Sequence, residues 1–318
     1  MILITGSTGL IGRSLQSGLS DNALDFRAAV RQYVAAGPEE QEVIKSLDED
    51  TDWRKALVGI HVVIHLAAQV HVRPKSSLDV EVFHEVNVLG TRHLAESAAK
   101  AGVRRFIFLS TVKVHGENSG PQPFKESDPL NPQDPYAESK ARAEVELRRI
   151  GRDSGMEIVI LRPPLVYGPG VKANFLSLLN VVSKQLPLPL GGITNKRSMI
   201  YIGNLVDAIV SCIEHPAAAG ETFLVSDGAD ISTPDLCRSI AAEMGYNARL
   251  PALPVQLLTF AGKLLAKSDI VDRLASSLLI DSSHIRQKLA WAPPFTFQEG
   301  LHQTVRWYLD THQHALHA

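Results

Sequence analysis

Cysteine is scarce in this sequence. Only two of the 318 residues are cysteine, Cys212 and Cys237, which is too few for a disulfide framework. Neither has a partner at metal-ligand spacing, and we expect both to be small buried apolar residues in a reducing compartment. The sequence therefore predicts a cytoplasmic protein without a metal site.

Long apolar runs and an excess of one charge are also missing. No stretch reaches the roughly 18–20 apolar residues that span a bilayer. The nearest, Leu253–Leu265, is interrupted by Gln256 and Lys263 and is predicted to be a core-facing helix, with membrane-surface docking as the alternative. Met1–Ile4 has no basic flank, so no signal peptide is expected. The net charge of −2 predicts neither nucleic-acid binding nor a membrane partner.

Short apolar runs alternate with helical patterns over the first two thirds of the chain. Helices are predicted around Ser77–Ala101 and Pro135–Ser154, and five runs have the composition of buried parallel strands. Repeated strand–helix units predict an α/β fold with a doubly wound parallel sheet. The predicted strands are Ile2–Thr5, Phe26–Val30, Val62–His65, Phe106–Leu109 and Ile158–Leu161.

The regular alternation of strand and helix patterns ends after Pro163-Pro164, and this change divides the chain into two parts. Residues 1–165 are predicted to form the sheet domain, and residues 199–228 to return to it, because Thr222–Val225 is again strand-like. Residues 166–198 and 229–318 are predicted to form a smaller, mostly helical lobe that closes a cleft over the sheet edge. In this lobe, Asn174–Lys184 is predicted to be helical and Pro187–Arg197 to be a loop, whereas Tyr201–His215, in the returning part, is predicted to be a strand end that leads into a helix.

A glycine loop, Gly6-Ser-Thr-Gly9-Leu-Ile-Gly12, joins the first predicted strand to the first helix. Gly6 allows a tight turn, Gly9 lets backbone N–H groups approach a pyrophosphate, and Gly12 lets the helix pack closely. The placement between strand and helix predicts a dinucleotide site of the Rossmann type. We expect the cofactor to be lined by Gly6, Thr8, Gly9, Leu10, Ile11 and Gly12.

Arg31 ends the second predicted strand, where an NAD site usually places an acidic residue for the ribose 2′-hydroxyl. A guanidinium suits a 2′-phosphate instead. NADP(H) is therefore favoured and NAD remains open, since Arg31 is alternatively a solvated side chain that covers the adenine.

Tyr136 and Lys140 stand at i and i+4 of a predicted helix and so face the same way. Lys140 is expected to lower the Tyr136 pKa, which is ordinarily about 10, and to hold the nicotinamide ribose. Thr111 follows a central strand at its carboxyl end, where ligands of such sheets bind. These three residues are predicted to be catalytic, with Thr111 hydrogen-bonding the substrate oxygen that Tyr136 protonates.

With these motifs the chain resembles the extended short-chain dehydrogenase/reductase family, in its nucleotide-sugar epimerase/dehydratase branch. The resemblance also rests on His65-Leu-Ala-Ala68, Val86-Asn-Val-Leu-Gly-Thr91, Arg162-Pro163 and Val166-Tyr-Gly-Pro-Gly170. It implies that the backbone near Gln69 lines the cofactor and that Asn87 supports the site. The further cofactor residues implied are Leu66, Ala67, Ala68, Pro163 and, with a poorer local match, Asp48.

The same resemblance implies a substrate site in the lobe. Arg197 opens a segment that in this family clamps the diphosphate of a nucleotide sugar, although Asn204 replaces the usual Asp there. Asn174 matches a residue that reaches the same diphosphate, and Arg273 is a candidate second arginine. A lobe-stabilising ion pair for Arg197 and a helix cap for Asn174 stay open as structural alternatives.

Three reactions at C4 of a UDP-linked sugar are then possible. Dehydration is disfavoured, since the family's dehydratases carry Asp-Glu after the strand-end Thr and here Thr111 is followed by Val112-Lys113. Arg31 favours an NADPH-consuming 4-ketoreductase over a 4-epimerase with bound NAD. The resemblance further implies UDP-linked 6-deoxy-N-acetylhexosamines of surface-polysaccharide (O-antigen, lipopolysaccharide) synthesis as substrates, and a homodimer.

Two other hypotheses about the function stay open at this point. A non-catalytic NADP-sensing module is disfavoured because such proteins of this family typically lack the tyrosine that Tyr136 provides. A reductase of flavonoid- or steroid-like ring ketones is also possible, and it predicts no use for Arg197.

Overall fold

A computed structural model describes residues 1–35, 37–38, 40–70, 77–254, 256–259 and 268–316. Its centre is a seven-stranded parallel sheet of order β3-β2-β1-β4-β5-β6-β9, accompanied by a two-stranded parallel sheet, β7-β8. Such a strand order is that of a Rossmann fold, in which ligands bind where the order reverses, between β1 and β4. The strands are β1 (Ile2–Thr5), β2 (Phe26–Val30), β3 (Gln41–Val43), β4 (Val62–His65), β5 (Arg105–Leu109), β6 (Glu157–Arg162), β7 (Leu165–Tyr167), β8 (Met199–Tyr201) and β9 (Thr222–Leu224).

Helices cover both faces of the large sheet, so its strands are apolar on both sides. Ile2 and Ile4 face a core shared with α1 and α6, whereas Leu3 faces the opposite core, shared with α3 and α4. The helices are α1 (Leu10–Asp21), α2 (Ser77–Phe83), α3 (Thr91–Lys100), α4 (Pro135–Ser154), α5 (Ala173–Val182), α6 (Ile202–Glu214), α7 (Thr233–Glu243), α8 (Ser268–Ala275), α9 (Ser283–Leu289) and α10 (Phe297–Leu316).

The C-terminal part has a core of its own. Tyr167 is fully buried there and packs between the rings of Phe175, Tyr201 and Phe297 at centroid distances of 5.5, 5.7 and 5.9 Å. This aromatic core joins β7 and β8 to α5, α7 and α10. This packing fixes the position of β8, which begins two residues after Arg197.

Several predicted boundaries need correction. Two short strands, β3 and β7, were not among the predicted elements, because runs of three residues carry too little periodicity, and of β8 only the end at Tyr201 was predicted. The predicted continuous helix Ser77–Ala101 is interrupted by a π-helical turn, His84–Gly90, which lets Gly90 approach the carbonyl of Leu47. The predicted helix Leu253–Leu265 lies partly outside the described residues. Among the described residues, no helix is long and apolar enough to cross a membrane.

Candidate active site

The glycine loop makes a turn that only glycine fits. Gly6 has φ +73°, and a Cβ on it would lie 2.7 Å from the Ala67 nitrogen. A Cβ on Gly12 would lie 2.2 Å from the Gly6 carbonyl oxygen. Thr8 and Gly9 are exposed just before α1 begins. The turn therefore leaves a cradle at a helix N-terminus that fits a pyrophosphate.

A second segment lies beside this turn, after β4. The Asn87 side chain, in the π-helical turn, accepts from the Gln69 N–H at 2.8 Å and donates to the Gln69 carbonyl at 3.1 Å. Asn87 also donates to the Ser139 hydroxyl of α4 at 2.9 Å. Asn87 is 1% exposed, so this amide ties the backbone after β4 to the helix that carries Tyr136.

His65 anchors the end of β4. Its Nδ1 lies 2.6 Å from the Thr5 hydroxyl and its Nε2 lies 2.9 Å from the Thr91 hydroxyl. Burial, reinforced by the charge of Lys140, lowers the His65 pKa to about 3. The ring is therefore neutral at physiological pH and acts as a hydrogen-bonded spacer under the glycine turn.

Tyr136 and Lys140 lie on the inner face of α4, against the end of β5. Asp134 caps this helix, because its Oδ1 accepts from the Ala137 N–H at 2.7 Å, and Pro135 follows as the first helical residue. Tyr136 is half-buried and meets the ring of Phe83 edge-on. The Lys140 ammonium lies 4.0 Å from the ring centroid of Phe108 in β5.

The electrostatics of this pair differ from the expectation. Burial raises the Tyr136 pKa well above its ordinary value, and the Asp134 carboxylate raises it further. Lys140 does not contribute the expected lowering of the Tyr136 pKa. Burial lowers the Lys140 pKa to about 7, against the opposing effect of Glu144. The protein groups alone thus favour the protonated phenol, the form that donates a proton.

A buried ion pair between Arg162 and Glu144 lies one helical turn from Lys140. Arg162 donates to both oxygens of Glu144, at 3.0 and 2.5 Å, and Ser110 donates to Glu144 at 2.6 Å. The two side chains of the pair are 3% and 1% exposed. Glu144 lies on α4, one helical turn after Lys140. Because Arg162 ends β6 and Ser110 follows β5, their bonds to Glu144 connect α4 to the ends of both strands.

Thr111 stands at the carboxyl end of β5 and is half-buried. Its hydroxyl accepts from the Lys113 N–H at 3.3 Å. The Lys113 ammonium lies 2.5 Å from Glu117 and 2.7 Å from Asp134. The strand end that carries Thr111 is therefore linked by Lys113 to the cap of the helix that carries Tyr136.

The three predicted substrate-binding residues of the lobe differ in their surroundings. Arg197 is half-buried, and its Nη1 donates to the carbonyls of Arg273 and Ser276 at 2.9 and 3.1 Å, beside the C-terminus of α8. The structure thus brings Arg197 and Arg273 together, with Arg197 in contact with backbone carbonyls. Asn174 is exposed at the second position of α5, whose cap residue is Lys172, so it is not the helix cap.

The remaining predicted cofactor residues lie around the same edge. Arg31 is exposed directly after β2, and the Pro163 carbonyl accepts from the Val112 N–H at 2.9 Å. The Asp48 carboxylate is engaged in its own loop, where it accepts from the Thr51 hydroxyl and the Asp50 N–H. Leu10, Ile11, Leu66, Ala67 and Ala68 are half-buried along the glycine turn and the β4 end.

Comparison with known proteins now decides the family. Residues 2–226 match the NAD dependent epimerase/dehydratase family. The chain belongs to this family. It is thus an enzyme of the extended short-chain dehydrogenase/reductase type, and the Rossmann sheet and glycine turn described above are consistent with that assignment.

Two relatives and one solved structure are similar to this chain over nearly their whole length. A UDP-glucose 4-epimerase of Vibrio cholerae is 45% identical over 97% of this chain and 95% of its own length. A quinoline-oxide ketoreductase of Stigmatella aurantiaca is 26% identical over 94% of this chain and 93% of its own length. The structure of MoeE5 in complex with UDP-glucose and NAD superposes with a TM-score of 0.78 at 23% identity, covering 98% and 99% of the two chains. The chain is thus an enzyme of the epimerase/dehydratase type.

Three supporting residues were not among the predicted site residues. Asp134 carries a sequence signal, since Asp followed by Pro before a helical pattern is typical of a cap and a first helical residue. Glu144 is four residues after Lys140 and was findable on the same helix face. Lys113 gives no local signal, because its two partners lie 4 and 21 residues away.

Proposed function

We propose that this protein transfers hydride at C4 of a UDP-linked hexose, and that its reaction is the NAD(P)H-dependent reduction of a 4-keto-6-deoxy sugar. The observation that carries the proposal is the shared edge of Thr111, Tyr136 and Lys140 beside the glycine turn. A protonated phenol is the donor that a carbonyl oxygen needs as it becomes a hydroxyl.

The chain's own residues divide the work of this reaction. The glycine turn holds the pyrophosphate, and Lys140 with the Asn87-held backbone holds the nicotinamide ribose. A bound dihydronicotinamide supplies the hydride. Thr111 orients the sugar oxygen and Tyr136 gives it a proton. Arg197, Arg273 and Asn174 are the proposed contacts of the UDP diphosphate, which requires Arg197 to keep donors free beside the helix carbonyls it already binds.

NADP(H) is the proposed cofactor, supported by the exposed Arg31 at the end of β2. An Arg–phosphate contact is worth about 1.5–3 kcal/mol, so Arg31→Ala is expected to raise KM for NADPH by roughly 10- to 100-fold. KM for NADH serves as the internal control and is expected to stay unchanged. A lower KM for NADH than for NADPH in the unmodified enzyme would identify NAD as the cofactor.

The deciding experiment compares two sugars. The protein is incubated with UDP-GlcNAc and with its 4-keto-6-deoxy derivative, with and without NADPH, while dihydronicotinamide absorbance and product are followed. We expect oxidation of NADPH only with the keto sugar. Tyr136→Phe is expected to abolish the reaction while leaving cofactor binding intact, and activity that survives in this variant would overturn the mechanism.

A UDP-hexose or UDP-N-acetylhexosamine 4-epimerase is the second candidate, favoured by the 45% identical relative of that name. An epimerase returns the hydride to the sugar and needs no net reductant. Purified protein that carries stoichiometric NAD and converts UDP-GlcNAc without added cofactor would establish this candidate and exclude the first.

The domain division and the dimer also remain proposals. β9 lies in the large sheet and α6 packs on α1, which supports the return of residues 199–228 to the cofactor domain. A groove between the π-helical turn and α4 is lined partly by Val145, which is 59% exposed. We propose that this face joins two copies of the chain, and Val145→Glu is expected to yield monomers in sedimentation experiments.

A further inference from the structure

We propose that Lys113 is a positioning residue for the reaction, one that holds the proton-donating tyrosine and the strand-end threonine in a common frame. The proposal rests on the proposed function, since it assumes that Tyr136 donates the proton. Lys113 stands in the connection between β5 and α4, two residues after Thr111.

Lys113 contacts both halves of the catalytic set. Its backbone N–H donates to the Thr111 hydroxyl at 3.3 Å. Its ammonium lies 2.7 Å from Oδ2 of Asp134, whose other oxygen caps α4 at the Ala137 N–H. A single residue therefore connects the group that orients the sugar oxygen to the first turn of the helix that carries Tyr136.

Two carboxylates contact the Lys113 ammonium. Glu117, four residues after Lys113, lies 2.5 Å from the same ammonium, and the three side chains are between 32% and 39% exposed. Burial opposes the charge on Lys113, but the hydrogen bonds from the two carboxylates outweigh it and raise the Lys113 pKa. The ammonium is therefore charged throughout the physiological range, and the frame does not loosen near neutral pH.

The link has an electrostatic effect as well as a mechanical one. Tyr136 has Lys140 one turn further along its own helix and Asp134 at the cap of that helix, and Lys113, which Glu117 also contacts, reaches Asp134 from the turn after β5. After burial, Asp134 is the group that raises the Tyr136 pKa. Lys113 partly neutralises Asp134, so loss of its ammonium leaves the phenol beside an uncompensated carboxylate.

Substitutions of Lys113 and of Asp134 are expected to shift the Tyr136 pKa in opposite directions. Lys113→Met leaves Asp134 unpaired, and the pH limb of kcat that reports Tyr136 is expected to move up by about half a unit to one unit. Asp134→Asn keeps the helix cap, because asparagine caps as well as aspartate, but removes the charge. Its limb is expected to move down. Lys113→Arg is expected to restore the limb of the unmodified enzyme.

The matched control is Lys125→Met, an exposed lysine in the same connection whose charge acts on Asp281 rather than on Asp134. We expect kcat to fall roughly tenfold in Lys113→Met and to stay unchanged in Lys125→Met. Fluorescence titration of the cofactor and the melting temperature are measured on every variant, so that a loss of fold or of cofactor binding is recognised.

Three results overturn the inference: an unmoved limb with unchanged kcat in Lys113→Met, equal effects of Lys113→Met and Lys125→Met, or a loss of kcat that follows the loss of melting temperature while the limb stays in place. Activity retained in Tyr136→Phe is a different result, because it refutes the proposed function itself.

Discussion

Removing one partner of the buried ion pair between Glu144 and Arg162 tests how the site is supported. Glu144→Gln leaves the Arg162 guanidinium 3% exposed and without a counter-charge. An uncompensated buried charge costs about 3–5 kcal/mol of unfolding free energy. Gln still accepts from Ser110, so we expect about 3 kcal/mol, which lowers the melting temperature of a 318-residue chain by roughly 4–5 °C.

The assay is thermal unfolding at neutral pH, read by circular dichroism, on Glu144→Gln, Arg162→Met and the double variant Glu144→Gln/Arg162→Met. The two single losses are not expected to add, because each variant removes the same pair. Glu138→Gln is the control, since its ion pair with Arg142 is more than half exposed and worth less than about 1 kcal/mol.

A loss below about 1 kcal/mol in Glu144→Gln, or strict additivity in the double variant, would refute the reasoning. The same variant also tests the coupling to Lys140. Glu144 opposes the lowering of the Lys140 pKa, so its loss is expected to move that pKa further below about 7. The charged fraction of Lys140 at neutral pH then falls, and cofactor affinity measured above pH 7 is expected to fall with it.

Two further variants test single contacts. Gly6→Ala is expected to abolish cofactor binding in a fluorescence titration, since its Cβ would meet Ala67 at 2.7 Å; Gly59→Ala, at the same φ of +73° but with no neighbouring atom within 4 Å, is expected to bind normally, and equal behaviour of the two would contradict this. Asn204→Asp places a second carboxylate 2.7 Å from Asp227, whose pKa burial already raises. The folded variant then holds a proton that the unfolded chain releases, so its stability deficit is expected to be larger at about pH 8 than at about pH 5, and an equal deficit would exclude the repulsion.

Much of the cofactor half was predictable because its determinants are local. The glycine loop needs only three glycines at fixed spacing between a strand and a helix, and the structure shows why a Cβ is excluded at Gly6 and Gly12. Tyr136 and Lys140 share a face because a helix places i and i+4 together. Apolar runs buried on both faces indicated the parallel sheet, and the five longer strands appeared where they were expected.

The interactions between distant segments depended on the tertiary structure. Lys113 meets Asp134 across 21 residues, and Arg197 meets the carbonyl of Arg273 across 76 residues. Local sequence patterns do not predict such pairs, because the two segments come together only when the chain folds. The proton affinity of Tyr136 likewise follows from burial and from Asp134, and only packing sets that burial.

The amino-acid order by itself therefore determined the sheet, the glycine turn and the shared helix face of Tyr136 and Lys140, because each depends on residues within one or two turns of chain. Which groups surround the phenol, and which donors of Arg197 are already engaged, were decided by packing between segments far apart in sequence. The physical reason is that electrostatics and hydrogen bonding depend on distance in space, and local sequence patterns specify distance only along a single helix or strand.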